Sequence, residues 1–417
     1  MEATAVTLSL ARRADHVPDR TAVVDISEAR LYAPATTINE DRVSYGELSA
    51  IATRTAERLA ALGIGSGDTV CLVTRNRVAV LGLFFACRRL GATFAPISHL
   101  LTPASVERPF DVVAPEIVVA EAAQRDLVRS IPFDRSVTLE ELSETDRAGL
   151  AVDDRRPGES PLLALHGRSG RPVAGYESET LERNCRTGIA TWGLAANDVV
   201  PLTTPLSAPD GLVRVALSVL YVGGTLLLDR AFDPGDAARA IAAEGATLLP
   251  GRATALRDIA AEPGFDAAAD SLERAVCEAP VDGDVIEAYR DRDVPVARVS
   301  GRLECPTALS EGFADAARAS DVDDSPVGRP VPDCRARLVD DEGTVLEGAA
   351  VGRLQLSGPV VADGYVNAAG TDDERWAEPT PPPNAEDDVG DCGRFVDGWF
   401  DTGDRARRDD AGGYHLR

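Results

Sequence analysis

Lysine is absent from this sequence of 417 residues. Every one of its 43 basic residues is arginine, so no side-chain amine is available as a nucleophile or as a compact ammonium clamp on phosphate. Positive charge is scarce as a whole, with 68 acidic residues and a formal net charge of −25. That balance argues against a general nucleic-acid or anionic-membrane surface and fits a highly charged, solubilising exterior. Cysteine is sparse. The seven are scattered, no two have C-x-x-C spacing, and the number is odd. A zinc knuckle or disulfide framework is not expected, and a reducing compartment is the default. The four histidines (His16, His99, His166 and His415) lie far apart with no H-E-x-x-H. No apolar run has the length of a membrane span, and the N-terminus carries Glu2 and Asp15 without a basic start or cleavable apolar segment. The expectation is a cytoplasmic protein with no membrane span.

What is present is an alternation of helix and strand signals. Ser44 and Glu47 form a capping box, in which serine oxygen and glutamate satisfy free N–H groups at a helix start. Leu48, Ile51, Thr55, Leu59 and Leu62 follow at helical spacing, and Gly63 stops the helix. The runs TVCLVT, TFAPI and EIVVA read as strands, as do NDVVPLTT, GGTLLLD, ATLLP and DVPVARVS further on. Helical segments such as 78–90, GLVRVALSVLYV and PGDAARAIAAE separate them. This alternation predicts an α/β fold: two helix-flanked, largely parallel sheets. After about residue 325 a hairpin (CRARLVDDEGTVLEG) and the alternating VGRLQLSG predict a small antiparallel β subdomain. The approximate divisions are 1–190, 191–325 and 326–417. The acidic, proline-rich stretch within 368–396 is expected to be an exposed loop.

Two glycine-rich stretches invite a phosphate-binding reading. GIGSGD at 63–68 follows a helix and precedes a strand. That order cannot aim helix N–H groups at a phosphate, so it reads as a helix stop and turn. The stretch LLALHGRSGRPVAGY at 162–176 differs, because a buried strand feeds its glycines. Taken alone it is either an ordinary turn or an anion nest of inward-facing N–H groups with a serine hydroxyl as a further donor. It is not a Walker loop, which needs G-K-[ST], nor a G-x-S-x-G nucleophile elbow, since Gly170 follows Ser169 directly.

Three further segments bear on that choice: GPVVADGYVN at 358–367, DGWFDTGDRARRDDAGGY at 397–414, and the opening YGELSAIATRTAERLAALGIGSGDTVCLV with LGLFFACRRLGATFAPI. Together they resemble the adenylate-forming (AMP-binding) superfamily, the large N-terminal domain of acyl-CoA synthetases and nonribosomal-peptide adenylation domains. The resemblance covers nearly the whole chain. It implies that the family's glycine-rich loop falls on residues 165–174, where Gly167, Ser169, Gly170 and Pro172 match, Arg168 replaces a hydroxyl residue and Val173 replaces a lysine. The acyl-pocket motif falls on PLSAPDG, keeping Gly211, with Ser207 and Ala208 in place of an aromatic and a histidine. The G-G-A-P-L motif keeps Ala279 and Pro280. The Y-G-x-T-E motif keeps Gly301 and Glu304, with Ser300 where an aromatic lies against adenine. Asp404 would hold the ribose hydroxyls.

The resemblance implies ATP and Mg²⁺ as cofactors, CoA as the thiol and a small carboxylic acid as substrate. Glu304 would hold Mg²⁺, with residues 167–171, Ala279, Pro280, Ser300, Gly301 and Asp404 around the nucleotide. Loop amides, metal and a cation neutralise the charge that builds on phosphate. Loss of the lysine should slow adenylation by about ten- to a hundredfold unless Arg168 or Arg171 replaces it. The sequence stops at YHLR, before the hinge into the family's C-terminal lid. A trimmed chain, a partner subunit supplying the lid, or function without it are the three expectations. A catalytically impaired relative that binds a nucleotide, an acyl group or a protein is the alternative to the ligase.

Overall fold

The computed structural model describes residues 8–27, 42–129, 131, 133, 135–145, 161–317, 326–366, 376–377 and 393–416. Four sheets organise them. The first strands, β1 (Thr21–Asp25) and β2 (Arg42–Ser44), pair with each other, and β1 joins them to two strands from much later in the chain, β10 (Thr225–Leu228) and, beyond it, β9 (Val199–Leu202), in the order β2-β1-β10-β9. Of these only β2 is antiparallel.

The largest sheet contains β3 (Thr69–Thr74), β4 (Thr93–Ser98), β5 (Ile117–Ala120) and, at its edge, β6 (Ser136–Thr138), all parallel; β3, β4 and β5 are largely apolar and buried because both faces are covered. It continues through β7 (Leu163–His166) into β8 (Val173–Tyr176), which turns antiparallel, and then β19 (Gly364–Val366) and β20 (Trp376–Ala377). The third sheet runs β11 (Leu248–Arg252), β12 (Arg274–Glu278) and β13 (Val296–Ser300) in parallel, with β14 (Leu309–Ser310) and β15 (Arg329–Pro330) antiparallel at its edge. The fourth is wholly antiparallel: β17 (Val345–Leu346), β16 (Arg335–Val339), β18 (Ala350–Ser357), β22 (Trp399–Arg408) and β21 (Arg394–Val396), with β23 (Tyr414–Leu416) beside β22.

Local signals act where expected. Ser44 and Glu47 make both capping-box bonds for the helix Tyr45–Ala61, and Gly63 follows at φ +82°. The helix Val78–Leu90 is buried along most of its length between strands. One helix departs from expectation. In GLVRVALSVLYV, residues Asp210–Leu217 wind as a π-helix before an α-helical turn at Ser218–Val222. Wide turns of this kind recur at functional sites because they re-aim side chains. Here the displaced side chain is Arg214, a charge in an apolar run, which leaves the helix to meet polar partners on another sheet. Most of the proline-rich stretch within 368–396 lies outside the described residues. Its described parts at 376–377 and 394–396 are paired strands.

Candidate active site

The hairpin joining β7 to β8 is closed by its own backbone. Gly167 N–H donates to Pro172 O at 2.8 Å, and Gly170 N–H donates to Gly167 O at 3.0 Å. The Ser169 hydroxyl donates to Arg171 O at 3.2 Å. These bonds consume the glycine amides and leave the amides of Arg168 and Ser169 at the tip. Gly170 has φ +93°, and a β-carbon there would lie 2.8 Å from Ser105 O and 2.9 Å from Pro109 Cδ. Only glycine combines that conformation with that approach. The close contact seats the hairpin on the helix Glu107–Val113. Its arginines diverge: Arg168 is exposed, while Arg171 reaches that helix, donating to Arg108 O at 3.4 Å and pairing with Asp111 at 3.3 Å.

His166 anchors the other side. Its Nε2 accepts from Ser98 N–H at 3.0 Å, and Nδ1 lies 2.7 Å from Gly167 O, an arrangement that fits a neutral ring with the proton on Nδ1. Burial lowers its pKa, in keeping with that form. It ties the loop to β4 and serves as a structural group.

The end of β13 is built from side chains. Gly301 N–H donates to Glu278 Oε1 at 3.1 Å, and Glu278 pairs with Arg214. Arg214 also donates from Nε to Pro306 O at 2.7 Å. A β-carbon on Gly301 would lie 2.0 Å from Pro306 O and 2.4 Å from Arg214 Nη2, so the position admits no side chain. Residues 302 and 305 then close a tight turn on each other (Arg302 N–H to Cys305 O, 2.9 Å). This turn presents Glu304 and Arg302 in different directions. Glu304 is buried and accepts from the Tyr365 hydroxyl of β19. Arg302 meets Asp404 of β22, Nε donating to Oδ2 at 2.7 Å with Nη2 on the same oxygen.

The hairpin and this strand end are joined through β8. Tyr365 pairs with Ala174 in the sheet while its hydroxyl holds Glu304, and the Tyr176 hydroxyl donates to Leu303 O. Burial, and then the neighbouring Glu304, push the Tyr176 phenol well above its ordinary value, so it stays a donor. Ser300, Gly301 and Glu304 thus follow one another from the end of β13 into its turn, with Asp404 tied to that turn through Arg302. Ala279, held by its N–H to Val299 O at 2.8 Å, lies one strand over, with Pro280 exposed beside it. Ser207 is buried and Ala208 half-buried in the turn before the π-helix, and Asn76 braces that turn by accepting from Leu206 N–H at 2.7 Å. Gly211 opens the π-helix whose Arg214 reaches Glu278.

Sequence reasoning missed Glu278, Arg214, Arg302 and Tyr365. Signals existed for two of them: Arg214 is the one charge in GLVRVALSVLYV, and Tyr365 sits inside GPVVADGYVN. Nothing local marks Glu278 or Arg302, whose partners come from distant parts of the chain.

The donor set also bears on metal. Among the described residues no group of three or more His, Cys, Asp or Glu could form a protein cage. Mg²⁺ does not need one, since it is commonly held by one or two carboxylates together with substrate phosphates and water. Glu304 fits that use as a carboxylate whose orientation the Tyr365 hydroxyl fixes.

Helix-flanked, largely parallel sheets, one of them ending in a glycine hairpin, together with an antiparallel β subdomain make up the fold of the N-terminal domain of the adenylate-forming enzymes. The chain belongs to the AMP-binding enzyme family, which matches residues 10–168 and 176–366. It is similar to feruloyl-CoA synthase of Amycolatopsis sp, 28% identical over 404 residues, covering 94% of this chain and 77% of the relative. It is also similar to indoleacetate–CoA ligase of Aromatoleum aromaticum, 28% identical, covering 89% and 72%. Among solved structures, the N-terminal domain of FACL13 from Mycobacterium tuberculosis superposes with TM-score 0.80 at 21% identity, covering 98% of each chain. Family and relatives define an enzyme of the AMP-forming acyl-CoA ligase type. No described helix is long and apolar enough to cross a membrane.

Proposed function

We propose that this chain joins a carboxylic acid to the α-phosphate of ATP and passes the acyl group to the thiol of CoA. In the first step a carboxylate oxygen bonds to the α-phosphorus as the bond to pyrophosphate breaks. In the second the thiolate attacks the acyl carbon and AMP leaves. Mg²⁺, when bound, neutralises phosphate charge as a Lewis acid. Glu304 is the residue that would hold it, oriented by Tyr365. The amides of Arg168 and Ser169 meet the phosphates, Asp404 accepts from the ribose hydroxyls, and Ser300 and Ala279 flank the base. Ser207, Ala208 and Gly211 border the acid.

The observation that carries this reading is the turn after β13, which carries both Glu304, held by the Tyr365 hydroxyl, and Arg302, paired with Asp404. The names of the relatives point to aryl-substituted acids as first probes. The test is ATP–pyrophosphate exchange with ferulate, indoleacetate, 2-succinylbenzoate and fatty acids, with and without a family C-terminal lid domain added in trans. Exchange with one of these acids, lowered about a hundredfold by Glu304→Gln, is the expected result. No exchange with any acid, lid included, overturns the ligase. If AMP nonetheless binds, and binds less tightly to Asp404→Ala, the chain is instead a nucleotide-binding module, a reading favoured by the absence of lysine.

A further inference from the structure

The missing lysine leaves an unanswered charge problem. Phosphoryl chemistry without a cation beside the α-phosphate forfeits a strong charge-assisted contact. The two arginines within the glycine hairpin are the obvious substitutes by sequence position. Arg171, however, is committed to Asp111 and Arg108 O on the helix below, and Arg168 stands exposed at the tip. Arg214 is only 7% exposed and is fixed between Glu278 and Pro306 O. Arg302 differs from all three. It sits two residues from Glu304 and binds Asp404, the carboxylate assigned here to the ribose.

We propose that Arg302 is the phosphate-binding cation of this enzyme, parked on Asp404 until a nucleotide arrives. This rests on the nucleotide-binding reading above. The ribose hydroxyls take over Asp404, and the released guanidinium turns onto the phosphate. Both halves of the exchange are cheap. The pair is partly exposed, 24% for Arg302 and 34% for Asp404, and such ion pairs contribute little net stability. The guanidinium presents its Nε and Nη2 donors together to one carboxylate oxygen, and the same fork suits phosphate oxygens. The backbone that carries Asp404 is held independently of Arg302, its N–H donating to Thr402 Oγ1 at 3.1 Å. One short turn thus carries both charged elements the chemistry needs: a carboxylate for the metal at 304 and a cation for phosphate at 302.

The pairing makes a prediction that a merely structural salt bridge does not. Adenosine and AMP share base and ribose and differ in the phosphate, so their affinity ratio isolates the phosphate contact. Calorimetry of both ligands with the wild-type chain, Arg302→Gln, Arg302→Lys and Arg168→Gln tests the idea. The expected result is that Arg302→Gln cuts the preference for AMP over adenosine about tenfold or more. Adenosine affinity should hold or rise, because Asp404 is freed. Arg302→Lys retains part of the preference, which guards against a general defect in the glutamine variant, and melting temperatures of all variants check folding. An unchanged AMP-to-adenosine ratio in Arg302→Gln, or its loss in Arg168→Gln instead, overturns the assignment while leaving nucleotide binding intact. If wild-type protein binds neither ligand, the nucleotide reading itself has failed and this inference falls with it.

Discussion

The glycine hairpin and the end of β13, the two elements proposed above to meet the nucleotide, are shaped by opposite materials. The hairpin is shaped by backbone: its two glycine amides and a serine hydroxyl bond to loop carbonyls, and its arginine side chains point elsewhere. The strand end is shaped by side chains recruited from afar, with Arg214, Glu278, Tyr365 and Asp404 converging on residues 301–304. A backbone-built element tolerates replacement of its side chains provided glycine stays where the chain must turn or pack closely. A side-chain network is brittle, because removing one member strands another in low dielectric. Arginine and valine at 168 and 173 are therefore compatible with an intact loop, whereas the strand end has no such latitude.

The sharpest way to break that contrast is Glu278→Ala. It leaves the Arg214 guanidinium, 7% exposed, without its counter-ion, and the expected cost is about 3 kcal/mol of unfolding free energy by denaturant titration. A loss of under about 0.5 kcal/mol would show that the strand end is no more brittle than a surface. Within the loop, Gly170→Ala meets both an unfavourable φ of +93° and carbonyl oxygen Ser105 O at 2.8 Å, so about 1–2 kcal/mol should be lost, with no charge involved.

A third comparison uses pH. Burial lowers the folded-state pKa of His166, so the unfolded chain takes up that proton more readily. Its contribution is fully present above the unfolded value of about 6.5 and is lost as pH falls below it. His166→Gln should therefore flatten the decline in melting temperature below about pH 6.5. An unaltered slope would mean that the loop anchor does not titrate. Least affected should be Arg171→Ala, whose partner Asp111 is also well exposed: about 0.5 kcal/mol or less, and no change in nucleotide affinity. Weaker AMP binding in that variant would bring Arg171 back to the phosphate.

Much of this molecule was legible in its sequence. Capping residues, helical periodicity and β-branched runs act over a few residues, so Ser44, Glu47, Gly63 and the strands TVCLVT, EIVVA and GTLLL appear where local chemistry puts them. The motif residues Gly301, Glu304 and Asp404 could be named for the same reason, as short patterns with fixed spacing. Strand partnership was not legible. The pairing of β1 with β10 and of β8 with β19 depends on surfaces that exist only once helices have packed. The π-helix was equally hidden, because its apolar pattern reads as an ordinary helix until the reach of Arg214 to Glu278 is known.

The division has a physical basis. Local sequence fixed which backbone conformations were cheap and therefore the elements, the glycine turn and the membership of the AMP-binding family. Tertiary structure alone decided the electrostatics, because charge pairs such as Arg302 with Asp404, 102 residues apart, form only when two sheets are brought together. A guanidinium's partner is set by distance in space, on which its neighbours in the chain have little to say.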